Sequence, residues 1–327
     1  MNPRVASLAQ RILSGGASCA KDEALRLTDS EISAYDLLYW ANRIREKFCG
    51  QEIKACSILS VRTGGCSEDC AFCAQSARHK TIAPVHDFLP VAAVARAAGD
   101  VKKSGAYAFS VVMSGYGPKN DHELQTLSDY LRAVGAVGGV EPHGGFGILN
   151  DAQVKQLKAA GLRCCNQNLE TSRRFFPNIC TTHTYDERVA TLKALRANGV
   201  RICSGGLFGL GETWEDRIDL ALDLRELDSQ NVPMNFLNRI DGTPLADREP
   251  MSPWEILRAI AIYRFILHDR DIGVCGGREV NLRDLQALIF MAGANAIMVG
   301  NYLTTAGRSA ELDIQMINDL GLRLKSS

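Results

Sequence analysis

Three cysteines stand close together in the stretch RTGGCSEDCAFCAQSARHK: Cys66, Cys70 and Cys73, spaced C-x3-C-x2-C. Three thiolates in one short loop can hold three corners of an iron–sulfur cubane, a cluster that normally takes four protein ligands. The missing fourth ligand leaves one iron open to a small molecule, much as a catalytic zinc site keeps an open position. Zinc itself is the alternative occupant, but a closed structural zinc site wants four ligands, usually in paired short motifs. The spacing therefore predicts a site-differentiated [4Fe-4S] cluster. A second group of polar side chains lies in RCCNQNLE. Alternation along a strand puts Cys164, Asn166, Asn168 and Glu170 on one face and Cys165 on the other. Arg188 falls at a helix start in THTYDER, and SGGLFGLGE supplies Gly205, Gly206, Gly209 and Gly211, which let backbone approach a ligand closely. Asn235 sits inside the apolar run VPMNFL, where an amide is costly unless something hydrogen-bonds it. It is read as a substrate contact, with a core amide satisfied by neighbouring backbone as the alternative.

The elements that must position these groups alternate along the chain. Strand candidates are CSILSV (56–61), YAFSVVM (107–113), GVEPH (139–143), RCCNQNLE (163–170), RICSGG (201–206), VPMNFLN (232–238), IGVCGG (272–277) and AIMVG (296–300). Between them run amphipathic stretches such as DHELQTLSDYLRAVG and YDERVATLKALRANG, several of them closed by a glycine just past the last turn. Strand and helix alternating in this way over about 250 residues is the pattern of an α/β chain of the (β/α)8 TIM-barrel type. A doubly wound open sheet is the rival, but no glycine-rich dinucleotide fingerprint follows the first strand. In a barrel, the loop after the first strand lies at the C-terminal face, where active sites sit. Residues 1–50 read as helix, so the organisation expected is an N-terminal helical cap over 1–50 and a barrel domain over 51–327.

Lys plus Arg and Asp plus Glu both number 37, so the chain is formally neutral. That balance argues against a nucleic-acid partner or recruitment to a membrane by charge. The longest uncharged run, from Leu285 to Gly307, is broken by Gly293, Gly300 and several amides and hydroxyls, and does not read as a membrane span. The first residues lack the continuous apolar core of a signal peptide, which makes a cytoplasmic enzyme the expectation. In a reducing compartment 11 cysteines point to metal or redox chemistry, with Cys19, Cys49 and Cys56 taken as small buried hydrophobes.

The three-cysteine spacing after a first barrel strand resembles the mark of radical S-adenosylmethionine enzymes, and the longer string GCSEDCAFCAQSA resembles biotin synthases. The resemblance continues through NQNLETS (166–172), THTYDER (182–188), CSGGLFGLGET (203–213), VPMNFLN (232–238), GTPLA (242–246), GGRE (276–279) and MAGANAIMVGNYLTT (291–305). It implies that the open iron chelates the amino and carboxylate groups of S-adenosyl-L-methionine, which one electron cleaves to methionine and a 5′-deoxyadenosyl radical. It implies dethiobiotin as substrate, with hydrogen abstracted from two carbons and sulfur supplied by a second cluster. By the same resemblance Asn168, Glu170 and Arg188 contact the cofactor, Arg188 through its carboxylate, and Asn166 contacts the substrate. The glycine run adds Gly209 as an expected cofactor contact, and Asn235 is the further substrate contact read from its place in the apolar strand. An electron donor such as flavodoxin or ferredoxin and a homodimer are further implications.

One part of the resemblance breaks. Biotin synthases of the usual kind hold a [2Fe-2S] cluster through cysteines on three strands and an arginine on a fourth, and the matching positions here are Val112, His143, Cys203 and Gly273. Only Cys203 keeps its type. Cys275, two residues beyond Gly273, shares its side of the strand, and Cys164 shares a face with Asn166 and Asn168. Cys164, Cys203 and Cys275, joined by His143 or Cys165, are therefore expected to hold a different auxiliary cluster. If they are core thiols instead, the chain reads as a radical enzyme that donates no sulfur, such as a methylornithine synthase-like mutase or a hydrogenase-maturation enzyme. A non-catalytic metal-cluster scaffold is the remaining reading.

Overall fold

Short runs rich in Ile, Val, Phe and Cys form the strands, and the longer amphipathic segments between them wind into helices. In the computed structural model, which describes residues 1–325, the strands are β1 (Glu52–Arg62), β2 (Ala108–Met113), β3 (Glu141–Gly145), β4 (Cys164–Asn166), β5 (Arg201–Cys203), β6 (Gly206–Phe208), β7 (Asn231–Phe236), β8 (Asp271–Val274), β9 (Ala296–Met298) and β10 (Arg323–Leu324). They pair in parallel in the order β1-β2-β3-β4-β5-β7-β8-β9, and β9 pairs back to β1 through Lys54–Cys56 against Ala296–Met298. That last pairing closes the barrel and excludes the open sheet. β6 continues β5 past a break and pairs with β7, while β10 lies beside the start of β1. At the break, a Cβ on Gly205 would stand 1.9 Å from the Pro233 carbonyl oxygen, so only glycine lets the two strands meet.

The helices are α1 (Pro3–Leu13), α2 (Lys21–Arg26), α3 (Ala34–Cys49), α4 (Val91–Lys103), α5 (Asp121–Val137), α6 (Asp151–Ala159), α7 (Tyr185–Ala197), α8 (Trp214–Glu226), α9 (Pro253–Ile266), α10 (Arg278–Leu282), α11 (Leu288–Met291) and α12 (Ala310–Asp319). Reciprocal caps between Asn150 and Gln153, Thr184 and Glu187, and Thr213 and Asp216 fix where α6, α7 and α8 begin. The second of these matters most for the site, because it places Arg188 in the first turn of α7. The first 50 residues make three helices. α1 packs on α3, α2 on α8 and α3 on α9, and Arg258 of α9 ties the connection down by donating to the carbonyls of Leu27, Asp29 and Ile32. No helix among the described residues is long and apolar enough to cross a membrane.

The strand expected over 163–170 ends at Asn166. Glu170 takes φ +70°, a left-handed backbone that cannot continue a ladder, yet it keeps one parallel bridge to Gly206. The bend leaves the amides and the carboxylate of this segment facing the barrel's interior.

Candidate functional site

A cavity of about 490 Å³ runs down the barrel axis from the C-terminal ends of the strands. Its wall includes Cys66, Cys70, Cys73, Asn166, Asn168, Glu170, Arg188 and Asn235, together with Cys56, His143, Cys203 and Cys275. The sequence-predicted residues are thus brought together, with two exceptions described below.

The cysteine loop leaves β1 through Gly64 and Gly65, both at positive φ. It folds back on itself, since the Cys66 N–H donates to the Gln75 carbonyl at 3.0 Å and the Ala77 N–H returns to the Cys66 carbonyl at 2.8 Å. A second anchor comes from the segment before α7. The Ala71 N–H donates to the Ile179 carbonyl at 2.8 Å, and Asp69 accepts from the Thr181 N–H at 2.9 Å. Cys66, Cys70 and Cys73 are all free thiols. Burial pushes the Cys73 thiol up, and the neighbouring Cys66 charge adds to this, so the thiolate forms only where something positive stands nearby. Three free thiols opening on one cavity form a donor set that iron would suit, because metal ligation stabilises the thiolate. The residues present fit the cluster.

Around this loop stands a polar wall. Asn166 Nδ2 donates to Asn168 Oδ1 at 3.0 Å, and the Gly205 N–H reaches the same oxygen at 3.3 Å. Arg188 donates through Nη1 to the Asn168 carbonyl at 2.5 Å and to Glu170 Oε1 at 3.3 Å. Its Nε donates to His183 Nε2 at 3.0 Å. Burial raises the Glu170 carboxyl above its ordinary range despite Arg188 beside it. Asn235 lines the cavity but its amide is already used by backbone. Nδ2 donates to the Gly206 carbonyl at 3.2 Å and Oδ1 accepts from the Gly276 N–H at 3.0 Å. Its burial therefore needs no ligand to explain it.

Gly209 is the first exception. It is not on the cavity wall; its N–H donates to Glu212 Oε1 at 3.0 Å and its φ is +90°, so the glycine answers a turn held by Glu212 rather than an approach to a cofactor. The second exception is Cys164, fully buried behind the wall, where it accepts from Asn231 Nδ2 at 3.3 Å and shares a hydrogen bond with Cys203. That shared bond, with Asn166 Nδ2 3.6 Å from the Cys203 sulfur, draws the Cys203 thiol below its ordinary value and drives Cys164 up. Cys165 points the other way, into the apolar layer outside the barrel, and is not available to this set.

Cys56, expected to be a plain buried hydrophobe, instead faces the cavity with Lys54 and Ile58 of β1. Burial, reinforced by Cys203, pushes its thiol up to about 12. Cys275 is raised by burial and by the charges of Cys203 and Cys56. The two-residue period running Lys54, Cys56, Ile58 was the available signal for this inward face. Cys19 does lie in the core, and Cys49 is largely buried against the Arg270 carbonyl. Below the sulfurs, the cavity floor is polar. Lys54 pairs with Asp271, and Glu141 binds Arg201 and accepts from the Tyr107 hydroxyl at 2.5 Å. Against the burial that would raise it, bonds from His143 and Tyr107 hold Glu141 at about 2, while burial lowers His143, which stays neutral.

Residues 60–224 match the model of the radical SAM superfamily, and residues 233–323 match the biotin and thiamin synthesis associated domain. The chain belongs to the radical S-adenosylmethionine superfamily. Among curated proteins it is 45% identical to the biotin synthase of Pelobacter propionicus over 98% of both chains. It is 46% identical to that of Geobacter sulfurreducens over 98% of this chain and 97% of the relative. Within the superfamily, then, it belongs to the biotin synthase family, whose members bring a [4Fe-4S] cluster, S-adenosyl-L-methionine and an auxiliary cluster. Solved structures share the fold at lower identity. A methylornithine synthase matches with TM-score 0.84 and 18% identity over 97% of both chains. An [FeFe]-hydrogenase maturase matches with TM-score 0.84 and 14% identity over 98% of this chain and 75% of its own.

Proposed function

We propose that this barrel converts dethiobiotin to biotin by radical-mediated sulfur insertion. The observation that carries the reading is a single cavity with the Cys66–Cys70–Cys73 loop at its wall and Cys56, Cys203 and Cys275 further round the same wall, Cys164 behind them. When loaded, the cluster on the loop supplies the electron that splits the sulfonium of S-adenosyl-L-methionine. The chain's own work is to hold, orient and enclose. Arg188 offers a cation to the cofactor carboxylate, and Asn168 and Glu170 offer an amide and a carboxylate to its hydroxyls. Asn166 stands between these groups and Cys203, as a substrate that must meet both would require. The second N–H of Asn235 is the donor it has left for a substrate carbonyl. A small electron-transfer protein of the flavodoxin or ferredoxin kind, a homodimer and a cytoplasmic setting complete the proposal.

Anaerobic turnover of dethiobiotin with S-adenosyl-L-methionine and dithionite should give biotin. Cofactor cleavage without biotin would move the reading to an enzyme of the mutase or maturase kind, and no cleavage at all would leave only a cluster scaffold.

Arg188→Ala should weaken S-adenosyl-L-methionine binding about ten- to a hundredfold, because a hydrogen-bonded charge pair is commonly worth about 1.5–3 kcal/mol. Iron content should stay at the wild-type level. Unchanged affinity by equilibrium binding would return Arg188 to a purely structural role, holding Asn168 and His183 in place.

A further inference from the structure

Between the polar wall and α7 runs the segment Ser172–Cys180, which carries two adjacent phenylalanines, Phe175 and Phe176. Pro177 suits the short 3-10 turn Phe176–Asn178 that forms here, because proline sets φ and has no N–H to leave unpaired. The turn is pinned from below. The Phe176 N–H donates to the Ser172 carbonyl at 2.9 Å and the Phe175 N–H to the Ser172 hydroxyl at 3.0 Å. That hydroxyl in turn donates to Asp216 of α8 at 2.6 Å. Phe176 is buried and does not line the cavity. Its ring meets those of His183 and Tyr185 edge-on, with centroids 5.8 and 5.7 Å away. Its other neighbour is a cation: Arg188 Cζ lies over the ring, 5.3 Å from the centroid.

The guanidinium of Arg188 has five N–H groups. Nε is spent on His183, and Nη1 on the Asn168 carbonyl and Glu170. Among the described residues Nη2 has no partner, while Arg188 itself lines the cavity. The three bonds hold the edge of the guanidinium, and the Phe176 ring gives it a surface to rest on. An arginine, unlike a lysine, can use both, since its cation is planar and stacks on aromatic faces. Away from water the attraction between a cation and a ring face is at its strongest.

We infer that Phe176 is a positioning residue for S-adenosyl-L-methionine binding: its ring holds the Arg188 guanidinium by a cation–π contact in the pose that leaves Nη2 for the cofactor carboxylate. A guanidinium already fixed in that pose loses less freedom when the ligand arrives, which is the ordinary gain from preorganisation. The inference rests on the role of Arg188 given under Proposed function.

The test is equilibrium binding of S-adenosyl-L-methionine to the anaerobically reconstituted, unreduced protein. Phe176→Leu, which stays apolar but has no ring face, should weaken binding about three- to tenfold. Phe176→Tyr, which keeps the face, should stay near the wild type, and iron per chain should be unchanged in both. In an Arg188→Ala background Phe176→Leu should add nothing, because the contact it removes is already gone. Fluorinated phenylalanines placed at 176 keep the shape of the ring while draining its face, so binding should weaken stepwise with each added fluorine, whether or not the leucine variant folds. Affinity that ignores fluorination, or a leucine effect of equal size without Arg188, overturns the inference and leaves the role of Arg188 standing. Unchanged affinity in Arg188→Ala itself overturns both.

Discussion

Cys66→Ala and Cys73→Ala should each abolish reductive cleavage of S-adenosyl-L-methionine, and Cys70→Ala should do so in a Cys180→Ala background. A cubane already short of one protein ligand becomes labile when it loses another. The wall around the loop offers amides, carboxylates and Arg188 but no replacement thiol next to Cys66 or Cys73. Cys70 differs, since Cys180 lies 3.8 Å away and could take its place after a small shift. The second substitution removes that route. Methionine and 5′-deoxyadenosine formed under dithionite are the readout, with iron and sulfide per chain measured alongside. Cleavage retained in any of these variants would strike that cysteine from the ligand set. Cleavage retained in Cys70→Ala alone but lost in the double variant would show the neighbouring sulfur stepping in.

The residues behind this prediction were legible in the sequence because they lie within one loop, where spacing along the chain equals spacing in space. The barrel was legible for a related reason, since strand and helix periods are local and their alternation admits few topologies. Other features depend on contacts between distant segments. The strand over 163–170 reads as continuous, but the left-handed turn at Glu170 is set by Gly206 and Arg188, which come later in the chain. Gly209 looked like a ligand cradle, whereas Glu212 three residues on claims its N–H. Cys180 and His183 are brought against the cysteine loop by contacts across more than 100 residues, a separation that no periodicity encodes. Cys56 is a different case. Its inward face was written in the alternation of β1, but a lone thiol among Ile, Leu and Ser reads as core until the barrel closes and brings Cys203 and Cys275 beside it.

That closure makes the second large effect an expected result: the triple variant Cys66→Ala, Cys70→Ala, Cys73→Ala still binds iron after anaerobic reconstitution, and adding Cys203→Ala removes it. Cys203 is the thiol best prepared for ligation, because Cys164 and Asn166 donate to its sulfur and favour the thiolate. Cys56 and Cys275 are raised partly by the charge Cys203 would carry, an arrangement that is unfavourable without metal and favourable with it. Ordinary apolar side chains would fill this space with less strain on the electrostatics. If these sulfurs hold the cluster that donates to substrate, Cys203→Ala alone should keep cleavage of S-adenosyl-L-methionine near the wild-type rate and lose biotin formation. That separation distinguishes a sulfur-donor ligand from a residue of the radical machinery, whose loss would stop both. A triple variant that holds no iron would leave the cavity with buried thiols and no donor. The barrel would then enclose the radical chemistry of its superfamily without a sulfur donor of its own, and the sulfur of the product would have to come from elsewhere.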